Sequence, residues 1–102
     1  MVLQNVTPHL KTVDLNWTPS ALGGAFQRYE VYRATHSSVT FNDTLIGTFT
    51  DFSVTNVTDS GLSIGATYYY RVFTVNTNDT YAPSNERTTT TVPVTLPLAD
   101  AF

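Results

Sequence analysis

Side chains able to do chemistry are few and scattered in this chain. Its two histidines, His9 and His36, lie too far apart for a helical ligand pair. There is no cysteine, so thiolate metal sites and disulfides are unavailable. The acidic residues run singly from Asp14 to Asp100, mostly at turn positions, and form no paired-carboxylate motif. Asp59, two residues before Gly61, reads as a turn former rather than an acid catalyst. Asn76, Asn78 and Asp79 could offer oxygen ligands to calcium, but the glycine and distal glutamate of an EF-hand loop are missing. A turn explains them. We therefore expect no catalytic residue, no metal and no cofactor.

A second chemistry is modification. Asn-x-Thr triplets start at Asn5, Asn16, Asn42, Asn56 and Asn78. Such triplets accept glycans where the amide lies in an exposed loop of an exported protein. Asn42 and Asn78 fall in expected loops and are the candidate glycosylation sites. Asn16 lies in a strand beside Trp17 and is a poor acceptor. A chain this rich in asparagine and threonine generates many such triplets by composition alone.

The elements that must position these residues are strands. Charged residues are 13% of the chain and aromatics another 13%. About 25% charged is usual, so hydroxyls and amides do the solubilising, a habit that points to an extracellular protein. The net charge of −3 has no basic cluster, which argues against nucleic acid. No apolar run is long enough to insert in a membrane. At 102 residues the chain is one domain, large enough to bury a single core without staples.

Apolar residues alternate with period two in several segments, and Gly, Pro, Asn and Asp break them at short intervals. Strands are predicted over 2–7, 12–18, 28–34, 45–50, 53–58, 67–76 and 85–92. Val13, Leu15 and Trp17 share one face, as do Tyr29 with Val31, and Tyr68, Tyr70, Val72 and Thr74. The opposite alternation turns Glu30 and Tyr32, and Tyr69, Arg71, Phe73 and Val75, outward. A Glu30–Arg71 cross-strand pair and an exposed aromatic face of Tyr32, Tyr69 and Phe73 are the resulting expectations. The prediction is a seven-stranded, two-sheet antiparallel β-sandwich over residues 1–92. A tail at 93–102, punctuated by Pro93 and Pro97, would serve as an edge or linker.

These residues resemble the fibronectin type III family. Trp17 stands where the family has its second-strand tryptophan, and Tyr29-Glu30-Val31-Tyr32-Arg33 is similar to its third strand, especially in bacterial members. Leu62, Gly65 and Tyr68 match its tyrosine corner, in which the phenol bonds to nearby backbone. The resemblance covers about residues 2–92. Asn76 to Tyr81 occupies the loop that carries Arg-Gly-Asp in some members, so integrin adhesion is not implied. What the resemblance implies is a non-catalytic module of a larger extracellular or cell-surface protein, monomeric in isolation, that spaces neighbouring domains. One alternative is a polysaccharide- or protein-binding module using the face of Tyr32, Tyr69, Arg71 and Phe73 or the loops around Phe26, Phe41 and Tyr81. The other is a self-assembling surface subunit that pairs through exposed edges or the apolar tail Leu96 to Phe102 by strand addition.

Overall fold

The computed structural model describes residues 1–92, and the expected tail at 93–102 lies outside the described residues. Among the described residues eight strands form two antiparallel sheets: β1 (Leu3–Pro8), β2 (Val13–Trp17), β3 (Phe26–Ala34), β4 (Thr44–Phe49), β5 (Asn56–Asp59), β6 (Thr67–Asn76), β7 (Tyr81–Pro83) and β8 (Arg87–Thr90). One sheet has the order β1-β2-β5. The other is β4-β3-β6, with β7 and β8 both on the far edge of β6.

Alternation places each face. Along β2, Val13, Leu15 and Trp17 are buried while Asp14 is exposed. With Leu3 they meet Tyr29, Val31, Tyr70 and Val72 of the opposite sheet, and these eight side chains are at most 2% exposed. Trp17 lies edge-on to Tyr29 at 5.5 Å. The tyrosine corner forms as its residues imply. Gly65 takes φ +67°, a conformation costly for any residue with a Cβ. Tyr68 Oη then accepts the Ser63 N–H at 2.9 Å, and Leu62 is buried beside it.

The strand count departs from seven because the last strand is split. β7 pairs Phe73 to Val75 and β8 pairs Thr67 to Tyr70. Pro83 offers no N–H to a ladder. Just beyond it, Ser84 bonds Val72 of β6 twice: its N–H donates to the Val72 carbonyl at 2.8 Å and its Oγ accepts the Val72 N–H at 3.0 Å. Asn85 turns to the other sheet and bonds both main-chain groups of Leu3 at 2.9 and 3.0 Å. β5 is also shorter than predicted, since Asp51 bonds the Ser53 N–H at 2.9 Å and holds that stretch in a turn.

The chain enters and leaves at opposite poles. Val2 pairs with Thr18 near Trp17, whereas the Val92 N–H donates to the His9 carbonyl beyond Pro8, at the other end of β1.

Candidate interaction face

The outer face of β3 and β6 is covered. The β3–β4 loop, residues 35–43, folds across it and inserts Val39, which is fully buried. Tyr32 and Phe73, expected to be exposed, are 6% and 5% exposed, and with Ala34 and Val39 they form a second small core. Tyr69 is half-buried at its margin. Val75, also expected outward, is fully buried. The rings of Tyr32 and Phe73 meet edge to face at 5.5 Å, and Phe41 lies 6.1 Å from Phe73 and 5.1 Å from Tyr81. Alternation told which residues share the face. It could not tell that a loop from elsewhere lies on it.

The polar groups around this cluster are also paired differently from the expectation. Glu30 stands opposite Phe73 in the ladder, and Arg71 opposite Tyr32, so Glu30 and Arg71 do not pair. Glu30 instead receives Arg28 Nε at 2.5 Å, the Tyr32 hydroxyl and, at 3.3 Å, the Tyr81 hydroxyl. Arg28 lies two residues away on the same face of the same strand and reaches the carboxylate first. Burial pushes the Glu30 carboxyl up, but the Tyr32 and Arg28 donors outweigh it and leave it below its ordinary value. Burial and the Glu30 charge together push the Tyr32 phenol up. Arg71 NH1 donates to the Val39 carbonyl at 3.2 Å, and Glu86 accepts the Val39 N–H at 2.7 Å, so both main-chain groups of Val39 are held. Val39 and Glu86 are the residues sequence reasoning missed here, whereas Phe41 was expected as a loop aromatic and lies against Phe73 and Tyr81. The available signal was a lone valine inside the polar run Ser37-Ser38-Val39-Thr40.

Asp59 is a second correction. It ends β5 and is 5% exposed, where it holds the two sheets together rather than forming a turn. Arg33 NH1 donates to its two oxygens at 2.8 and 3.0 Å, and Tyr70 Oη donates at 2.7 Å. The Arg33 guanidinium also lies 5.7 Å from the Tyr68 ring centre. Both oxygens of this carboxylate are thus engaged, which fits structure better than proton transfer.

The candidate modification sites are on the surface. Asn42 is exposed in the turn closed by the Asp43 N–H on the Thr40 carbonyl, and Asn78 is exposed in the β6–β7 turn. Asn76 Oδ1 accepts the N–H groups of Asn78 and Thr80 at 2.9 and 3.0 Å, the turn role expected of it. The histidines are exposed and paired with carboxylates, His9 with Asp14 at 2.9 Å and His36 with Asp43 at 2.8 Å. No group of three metal-ligating side chains occurs among the described residues.

Comparison with known proteins agrees with this geometry. An amylopullulanase of Thermoanaerobacter thermohydrosulfuricus is 37% identical over 101 residues, which is 99% of this chain and 6% of that protein. Pectate lyase Pel3 of Pectobacterium carotovorum superposes with a TM-score of 0.71 at 27% identity, over 98% of this chain and 28% of that one. The sixth fibronectin type III domain of human fibronectin type III domain containing protein 3 gives a TM-score of 0.74 at 19% identity, over 94% of this chain and 86% of that one. The chain therefore spans a small part of the two bacterial proteins and nearly all of the human domain. Residues 3–90 match the fibronectin type III domain, and the chain belongs to that family.

Proposed function

We propose that the chain is a non-catalytic accessory module of a larger extracellular, polysaccharide-active protein, in which it spaces and orients neighbouring domains. The observation that carries this reading is the amylopullulanase match: 99% of this chain corresponds to 6% of that enzyme. Entry and exit at opposite poles suit a spacer, because neighbours attached there are held apart along the sandwich. A low-charge, threonine-rich surface fits an exported protein.

The test uses the full-length gene product with residues 1–92 excised. Cleavage of short soluble oligosaccharides is expected to be unchanged, while cleavage of polymeric substrate falls and scattering shows a shorter or more variable domain separation. Loss of cleavage on short oligosaccharides, with the remaining domains still folded, would overturn the reading. The binding alternative keeps less surface than expected, since Tyr32 and Phe73 lie beneath Val39 and Phe41. Retention of the isolated chain on starch or pectin would favour it.

A further inference from the structure

At the exit pole, the end of β3, the covering loop and the start of β4 frame a polar pocket of about 380 Å³. Arg33, Thr35, Asn42, Asp43 and Thr44 are among the residues that line it. Part of the wall is fixed. Asp43 accepts the Thr40 N–H at 2.8 Å with one oxygen and pairs with His36 Nε2 at 2.8 Å with the other. Arg33 is held as firmly, since Asp59 takes two bonds from its Nη1 and the Tyr68 ring centre lies 5.7 Å from the guanidinium carbon.

The rest of the wall is unused. Nε–H and Nη2–H form one edge of the Arg33 fork. Neither has a hydrogen-bond partner among the described residues, and neither is sealed from solvent. The side chains of Thr35, Asn42 and Thr44 also make no hydrogen bond among the described residues. A guanidinium edge, an amide and two hydroxyls thus converge, and the first two are planar groups that match vicinal hydroxyls two at a time. Charge narrows the choice. Asp59 balances Arg33, and Asp43 balances His36 when that ring is protonated, so an anion meets no net positive charge. A protein partner needs apolar surface at the centre of its contact, and the Tyr68 ring beneath Arg33 is only 7% exposed.

We propose that this pocket binds a neutral saccharide, taking about one or two sugar units of a chain that continues into solvent. Arg33 is preorganised, so little side-chain freedom is lost on binding, but an open pocket covers only part of its ligand. The affinity is therefore weak, with a Kd on the order of a millimolar. The site is separate from the covered aromatic face. It goes beyond the spacer reading and stands or falls separately from it, since the module's shape spaces its neighbours whether the pocket is full or empty.

Nuclear magnetic resonance titration of the isotope-labelled full chain tests it, with maltotriose, cellotriose and xylotriose as neutral probes and trigalacturonic acid as the anionic one. At least one neutral trisaccharide is expected to give saturable shifts of the Arg33 Nε–H and Asn42 side-chain amide signals. Trigalacturonic acid is expected to bind several-fold more weakly. Asn42 is exposed, so Asn42→Ala is expected to weaken binding several-fold at an unchanged thermal midpoint. Arg33→Lys keeps a charge for Asp59 but not the fork, and is expected to abolish the saturable shifts. Phe52→Ala, at an exposed ring outside the pocket, is expected to leave binding as it was. The proposal is overturned if no neutral trisaccharide gives saturable shifts at Arg33 and Asn42, or if trigalacturonic acid binds more tightly. An Asn42→Ala variant that binds as the wild type does overturns it too.

Discussion

Asp59 at the end of β5 accepts a hydrogen bond from Tyr70 Oη of β6 at 2.7 Å, across the interior from one sheet to the other. Arg33, on β3, completes the carboxylate's shell at 2.8 and 3.0 Å. A sandwich core is otherwise apolar and non-directional, so this three-residue link fixes how the sheets meet at the exit pole.

Replacing Asp59 by alanine leaves a buried phenol and a partly buried guanidinium without their acceptor. Removing one partner of a buried pair costs about 3–5 kcal/mol, and the 24% exposure of the Arg33 side chain lowers the expected loss to about 2–3 kcal/mol. Asp59→Asn keeps one acceptor and is expected to lose about half as much. Urea unfolding measures both. Equal stability of Asp59→Ala and wild type would show that the link is solvated in solution.

The covered face yields a prediction in which magnitude decides between two pictures. On an open sheet, Phe73 would contribute a cross-strand pair worth about 0.2–1 kcal/mol. Beneath Val39 and Phe41, Phe73→Ala is expected to cost about 3–4 kcal/mol, and Val39→Ala about 2 kcal/mol. Denaturant midpoints separate the cases. A loss below 1 kcal/mol at both positions would return the face to solvent and to ligands.

What the sequence made legible follows from which interactions are local. Tyr68, Tyr70 and Val72 are inward as alternation requires, because a strand's period of two decides its faces without reference to anything distant. The corner was legible because Gly65 and Tyr68 act on residues within the same turn. Whether an outward residue such as Tyr32 or Phe73 meets water depends on the path of residues 35–43, a non-local fact that no period encodes. Asp59 was misread for the same reason. Its partners Arg33 and Tyr70 come from two other strands, and only the turn residues beside it were visible.

Glu30 gives the chain an acid-sensitive element. Its folded carboxyl lies below the ordinary 4.5, so it releases its proton more readily folded than unfolded. Its contribution to stability is therefore complete above 4.5 and is lost as pH falls through the lower folded value. Glu30→Gln preserves the shape without the charge. The gap in urea midpoint between wild type and Glu30→Gln is expected to be constant from pH 7 to about 5 and to close as pH falls further. A gap that holds or widens in acid would show that Arg28, Tyr32 and Tyr81 do not favour the ionised form.

Gly47 and Phe49 form a coupled pair on β4. A Cβ built on Gly47 would lie 2.9 Å from two carbons of the Phe49 ring, which covers the glycine and stands 6.2 Å from Trp17. The ring is held on its far side by the core, so it cannot swing away freely. Gly47→Ala is expected to destabilise by about 1–2 kcal/mol through overpacking, although alanine normally outperforms glycine in a strand. In a Phe49→Ala background the clash is absent, and the same substitution is expected to be neutral or stabilising by up to about 1 kcal/mol. The double-mutant cycle thus changes sign with the ring. If Gly47→Ala costs the same in both backgrounds, the ring is not what excludes a side chain there, and the edge-strand backbone is the constraint instead.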